Sequence, residues 1–223
     1  MNFLTLDWKT IFPQLLKGTI TTLQLTAIAI SLGFVVGILL TLGWLYGNKP
    51  IRNFCRAYVD LFRGTPLLLQ LFIVYYGLPR YGVRFSPFVA AILGLGLNSA
   101  AYQAEYFRGA IQSISQGQML AARSLGMSEF KAIIHIILPQ ALRIVIPAWS
   151  NELIYTLKYS SVAYMIGTTE LMFTGKIIAA KNFRFFELFL VVAFIYLITV
   201  LIISHFLRMI EKRAKIPGLQ MIS

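Results

Sequence analysis

Charge is what this 223-residue sequence has least of: Asp, Glu, Lys and Arg make up 13% of it, against 58% hydrophobic residues. A soluble domain carries about twice that charged fraction, with its apolar residues scattered by helical or strand periodicity. Cysteine is almost missing too. The single Cys55 excludes an internal disulfide framework and a multi-cysteine metal site. No Gly-x-x-x-x-Gly-Lys-Ser/Thr phosphate loop occurs, so the chain is not expected to hydrolyse ATP by that route. Nucleophile-elbow and His-Glu-x-x-His patterns are lacking, and His135 and His205 stand apart from Cys or carboxylate partners. No catalytic residue and no metal ligand is therefore expected. Met1 to Lys17 lacks the basic start and apolar core of a cleavable signal peptide, so the first span is expected to act as an uncleaved insertion signal.

What the sequence has is long apolar blocks. No charged residue occurs from Gly18 to Asn48, Gly64 to Pro79, Phe85 to Ala104 or Leu188 to Leu207. A fifth block, Ile144 to Gly167, is interrupted only by Glu152 and Lys158. A helix needs roughly 20 apolar residues to cross a bilayer core. The expectation is an all-α transmembrane protein with spans at about 19–46, 58–79, 86–107, 138–159 and 187–209. The net charge of +12 raises nucleic acid as a partner, but the positive residues flank apolar blocks and form no aromatic-interleaved stripe. The bilayer is the expected partner, and nucleic acid is not.

Loop charges give an orientation through the positive-inside rule. Lys49, Arg52, Arg56, Arg63, Arg108, Arg123, Lys131, Arg143, Arg208, Lys212, Arg213 and Lys215 fall on one side, outnumbering the Lys and Arg residues of the other. This predicts an external N-terminal segment (1–17), a membrane domain (18–215) and a cytoplasmic tail (216–223). Gly33 and Gly37 lie four apart, a spacing read as close helix packing.

Between the third and fourth spans, the loop at 113–130 contains Gly117-Gln-Met-Leu-Ala-Ala-Arg-Ser-Leu-Gly-Met-Ser-Glu-Phe and leads on to Leu138-Pro139. Gly126 suits the left-handed residue that ends a helix. Ser128 then caps a new one with Glu129 in its first turn, and Pro139 and Pro147 are expected to bend or interrupt the chain beyond it. The result is a helix–glycine–helix elbow. Its apolar members, Met119, Ala122, Leu125 and Met127, exceed what a water-facing loop requires.

This segment resembles the coupling loop of ABC importer permeases, a pattern of Glu-Ala-Ala, three residues, Gly and a run ending in Leu-Pro. Ala121, Ala122, Gly126, Leu138 and Pro139 match it, while Leu120 replaces the leading Glu. Phe62-Arg-Gly-Thr-Pro-Leu-Leu-Leu-Gln-Leu-Phe, Tyr102-Gln-Ala-Glu-Tyr-Phe-Arg-Gly-Ala-Ile and Leu138-Pro-Gln-Ala-Leu-Arg, followed by Pro147 and Asn151-Glu152, are similar to signatures of the polar amino-acid uptake permeases. The resemblance implies a five-helix, type I importer-like permease of the bacterial inner membrane with a cytoplasmic coupling helix. It implies that Gln118, Leu120, Ala121, Ala122, Arg123 and Gly126 dock onto a separate ATP-binding-cassette subunit, present in two copies and holding ATP and Mg. It also implies a soluble solute-binding protein outside. Five spans make a poor pore wall, so a two-fold pair is expected, as a homodimer or with a related permease.

Intramembrane charges are functional candidates by default. Glu152 follows Asn151 in the fourth span, with Tyr155 and Thr156 on the same helical face. Asn98, Tyr102 and Glu105 recur along the third span, and Arg108, one turn beyond Glu105, is expected to pair with it. Asn98, Tyr102 and Glu152, with Tyr155 beside them, form the expected pocket, Glu152 attracting a cationic group such as that of arginine, lysine or histidine. Thr65, at the start of the apolar part of the second span, and Lys158 and Ser161 at the end of the fourth are candidate gate or solute contacts; helix capping is their alternative reading. The rival functions are a channel subunit or a proton-coupled secondary transporter using Glu152. The latter usually shows internal repeats, and none is visible here.

Overall fold

The structure, a computed structural model, describes residues 7–114 and 116–214. Met1 to Leu6 of the expected external segment, Ser115 of the loop, and Lys215 with the expected tail lie outside the described residues. Every regular element among the described residues is a helix. They run α1 (Trp8–Tyr46), α2 (Lys49–Gly64), α3 (Leu67–Phe72), α4 (Pro87–Ser113), α5 (Gln116–Ser124), α6 (Glu129–Ala132), α7 (Leu138–Tyr159), α8 (Leu171–Asn182) and α9 (Phe185–Ala214). The core is α4, packed against α1, α2, α3 and α7; α8 packs on α1 and α9, and α9 on α7.

The α1–α4 seam follows from small residues. A Cβ added at Gly33 would lie 3.2 Å from the Ala100 nitrogen and 3.2 Å from the Gly96 carbonyl oxygen. One added at Gly37 would lie 3.1 Å from the Ala100 carbonyl oxygen and 3.3 Å from the Ala104 nitrogen. The backbones touch here, so polar groups can bond across the seam. Thr41 Oγ1 donates to the Ala104 carbonyl at 2.9 Å, and Gln103 Nε2 to the Ile30 carbonyl at 3.2 Å. Within a bilayer such packing and bonding replace the hydrophobic drive between helices. Gly37→Val should therefore lower stability by about 1–3 kcal/mol, as overpacking does. A depressed thermal midpoint in detergent checks this, and an unchanged one contradicts it.

The second expected span, 58–79, is not one helix. A bend of 106° separates α2 from the segment Leu67–Tyr81. Pro66 has no N–H for the Phe62 carbonyl and pushes Thr65 out of the helical region, to φ −118° and ψ 146°. Gln70 Nε2 replaces the missing donor at 2.8 Å, and Asn98 Nδ2 on α4 adds a second bond to the same carbonyl at 3.2 Å. The bend is thus held by side chains from α3, just beyond the break, and from α4.

Other boundaries shift as well. α1 begins at Trp8, so much of the expected N-terminal segment is helical. The fourth span runs unbroken over Glu129–Ile166, through Pro139 and Pro147, against the expected interruption. A π turn at Ile133–Ile137 precedes Pro139, and another at Ile73–Gly77 precedes Pro79. Each alters the bonding register just before the residue that lacks a donor. α8 was not foreseen at all. Among the described residues three helices, Trp8–Tyr46, Glu129–Ile166 and Phe185–Arg213, are long and apolar enough to cross a membrane, or four if the bent pair is one span. α4 falls short by composition because it carries the polar residues of the candidate site. In α9 most side chains are unburied, and Phe186, Leu190, Phe194, Leu197 and Leu201 are exposed, as a lipid-facing helix requires.

Candidate functional site

A cleft of about 240 Å³ opens between α4 and α7. Four of the expected residues, Asn98, Tyr102, Glu152 and Tyr155, line it together. Ser99, Tyr106, Thr156 and Tyr159 complete its polar and aromatic walls, with Leu67 and Leu95 as apolar lining.

Glu152 is 6% exposed. Ser99 Oγ donates to its Oε1 at 2.7 Å and the Tyr106 hydroxyl to its Oε2 at 3.4 Å. Ser99 in turn accepts from Gln103 Nε2 at 3.1 Å, which ties the carboxylate to the α1–α4 seam. Ion pairs among the described residues join Arg56 to Asp60 and both Arg63 and Arg108 to Glu105; Glu152 is in none of them. A buried carboxylate has about four acceptor sites and a strong preference for a cation. Here hydroxyls orient it, and the cleft is the remaining place from which a cation can come.

The other expected contacts divide. Asn98 braces the bend: its Nδ2 donates to the Phe62 carbonyl and, at 3.0 Å, to Gln70 Oε1, leaving its carbonyl oxygen for a ligand. Thr65 lies elsewhere. It accepts from Gln70 Nε2 at 2.8 Å, donates to the Leu61 carbonyl, and lines a separate, apolar cavity of about 210 Å³ with Leu61, Leu69 and Ile73. Lys158 does not pair with Glu152; its Nζ sits 4.7 Å from the centroid of the Tyr155 ring, a cation–π contact. Ser161 donates to the Lys158 carbonyl at 2.7 Å, the capping alternative. Neither Lys158 nor Ser161 lines the cleft. Tyr155 and Tyr159 stack, with centroids 6.2 Å apart, into one aromatic wall.

Sequence reading missed a second buried acid. Glu170 is fully buried and caps α8, accepting from the backbone N–H of Met172 at 2.8 Å and of Phe173 at 2.7 Å. The Tyr196 hydroxyl on α9 donates to it at 2.9 Å. Both its oxygens are engaged, so it anchors α8 between α1 and α9. Its signal was a carboxylate just before the first turn of an unforeseen helix.

The elbow forms as expected. Gly126 has φ +80°. The Gly126 N–H donates to the Arg123 carbonyl at 3.0 Å and the Met127 N–H to the Ala122 carbonyl at 3.1 Å, the two bonds of a Schellman ending. Ser128 caps α6, accepting from the Lys131 N–H. Met119 packs on the cluster of Phe107, Ile111 and Ile137. Ala122, one of the expected docking residues, is buried at 4% exposure, and α5 packs on α6 and the π turn that follows it. Gln118, Ala121, Arg123 and Gly126 are exposed. Leu120 is 69% and Leu125 84% exposed, with Phe130 exposed beside them. Large apolar side chains standing out of a charged turn mark an interaction surface.

Residues 33–216 match the family described as binding-protein-dependent transport system inner membrane component. The glutamine transport system permease of Escherichia coli is 36% identical over 94% of this chain and 98% of its own. A Bacillus subtilis protein named a probable amino-acid permease is 37% identical over 96% of this chain and 98% of its own. Among solved structures, an amino acid ABC transporter with histidines superposes with a TM-score of 0.87 at 37% identity, covering 96% of this chain and all of that one.

Proposed function

Because this chain belongs to the binding-protein-dependent transport system inner membrane components, we propose that it is the permease of an ATP-driven importer of polar amino acids, with arginine, lysine and histidine as the leading cargo. The observation that carries the cargo is Glu152: a buried carboxylate, oriented by the Ser99 and Tyr106 hydroxyls, facing an aromatic-walled cleft and in no ion pair among the described residues. A basic side chain entering the cleft meets a fixed opposite charge. Desolvation offsets much of that attraction, which gives selectivity more than tight binding. A second reading is favoured by the relative named for glutamine. There Glu152 meets the α-ammonium group common to all amino acids, and the side chain is read by Asn98 and the tyrosines.

The chain supplies the pathway and a separate subunit the energy. Two ATP-binding-cassette subunits, with ATP and Mg between them, grip the exposed Leu120–Leu125 face of the elbow in each of two permease copies, with a homodimer as the simpler pair. Nucleotide binding draws the elbows together and opens the cleft to a solute-binding protein outside; hydrolysis returns it to the inside. In this scheme the chain lies in the inner membrane with its N-terminus external and its C-terminus and elbow cytoplasmic, as the basic loops direct. Co-purification with an ATPase subunit, followed by ATP hydrolysis stimulated by loaded binding protein in liposomes, tests the proposal. Uptake that follows a proton gradient without nucleotide would establish a secondary transporter instead.

A further inference from the structure

The cleft has an acid inside it and a base at its edge. Arg63, in the last turn of α2 before the bend, has a side chain that is 43% exposed. Its guanidinium carbon sits 5.4 Å from the ring centroid of Tyr102, which lines the cleft. Its ion-pair partner is Glu105, with Nη1 and Oε1 3.4 Å apart. Glu105 is held far more firmly by Arg108, whose Nε and Nη2 donate to Oε2 at 3.0 and 2.6 Å. Arg108 is fixed in addition over the Trp44 ring and by Gln112. Two guanidinium groups therefore share one carboxylate. The cluster sums to one positive charge, and Arg63 has the looser hold on the shared partner.

The register of α4 brings this charge level with Glu152. Ser99 and Tyr106, which bind Glu152, bracket Tyr102 and Glu105, which hold Arg63. At 3.6 residues per turn the two pairs occupy sides of the helix about a quarter-turn apart. Acid and base thus meet α4 at a similar height, Arg63 at Tyr102 and Glu105 and Glu152 at Ser99 and Tyr106. An amino acid carries the complementary pattern: a cationic group and, a few bonds away, a carboxylate. Arginine's planar fork suits a carboxylate in two-point contact.

We infer that Arg63 is a specificity-determining residue of the cleft, the group that receives the α-carboxylate of the solute while Glu152 receives its cationic group. This rests on the amino-acid reading of the cleft. Binding moves Arg63 from its 3.4 Å contact with Glu105 toward the solute, and Arg108 keeps Glu105 neutralised meanwhile. A solute without the carboxylate leaves Arg63 where it is and loses this contact.

The test uses the intact permease–ATPase complex in detergent, without the binding protein, whose own selectivity would mask the effect. Saturation-transfer NMR compares L-arginine with L-argininamide, and L-glutamine with its α-amide. The wild-type complex should bind the acid of at least one pair about 10- to 100-fold better than the amide, the range of a charge-assisted contact. Arg63→Gln should bring the acid down to the level of its amide, and Arg63→Lys should restore part of the difference. If Arg63→Gln fails to assemble, Arg63→Lys decides alone: a reduced acid preference supports the inference and an undiminished one overturns it. An unaltered preference in Arg63→Gln overturns this inference and leaves the amino-acid reading standing. No binding of either acid to the wild-type complex overturns both.

Discussion

Replacing Glu152 with Gln should cut uptake of arginine and lysine by about 30-fold or more, the cost of removing one partner of a buried charge pair. Neither shape nor stability explains a loss of that size, because the amide is isosteric: its oxygen accepts from Ser99, and its NH2 donates to the Tyr106 hydroxyl, which turns to accept. Removing an unpaired buried charge relieves desolvation, so the variant should be at least as stable as the parent. Function and stability are expected to move in opposite directions, as they do where a site is held in a costly state for its ligand. Competition with a neutral amino acid separates the two readings of the acid. If glutamine uptake persists while arginine uptake falls, Glu152 meets the side chain. If both fall together, it meets the α-ammonium group. Unchanged uptake of both removes Glu152 from the pathway.

The second large effect is expected at the elbow. Leu120→Asp and Leu125→Asp place a charge on side chains that stand 69% and 84% exposed, so the permease should fold with an unchanged thermal midpoint. Buried in a partner's groove, each leucine acts as an apolar anchor worth about 2 kcal/mol or more, and a carboxylate there adds desolvation to the loss. Solute-stimulated ATP hydrolysis should fall more than about tenfold in either variant, with the ATPase subunit lost from the purified complex. Retained coupling in both would mean that these side chains face water throughout the cycle. Ala122 gives the internal contrast: enlarging it to Leu should lower stability, because its methyl is already buried within this chain.

The elbow and the pocket were legible because their signals are local. A glycine at the right offset, a serine cap and an acidic first turn specify Gly126, Ser128 and Glu129 with no knowledge of the rest of the fold. The spacing of three residues likewise gave the Glu105–Arg108 pair. Asn98, Tyr102, Glu152 and Tyr155 stood out as polar groups in apolar blocks, and the structure gathers them in one cleft. What sequence reading missed depends on contacts distant along the chain. Pro66 marked a weak point, but a 106° bend needs Gln70 and Asn98 to satisfy the carbonyl it orphans, and Asn98 is 36 residues away from that carbonyl. Ser99 and Tyr106 look like packing and rim residues until Glu152 on another helix is brought against them. α8 was missed because its apolar stretch is short and holds Lys176 and Lys181. It is stabilised by its buried acid cap and by α1 and α9, not by a pattern of its own. Thr65 and Ser161 lie outside the cleft for a related reason, since a hydroxyl at a helix end bonds the backbone as readily as a ligand.

Membrane residence, a charged cleft and a cytoplasmic lever are linked claims, and the lever is the one that separates a nucleotide-driven permease from every rival. A cysteine in place of Leu120, in a chain whose buried Cys55 is replaced by Ser, offers a single exposed thiol on the elbow. Cross-linking it in native membranes with a short bifunctional reagent should yield one dominant adduct, to an ATP-binding-cassette subunit, whose yield changes when ATP is added. An adduct only to the chain's own helices, with solute uptake intact, would contradict the account.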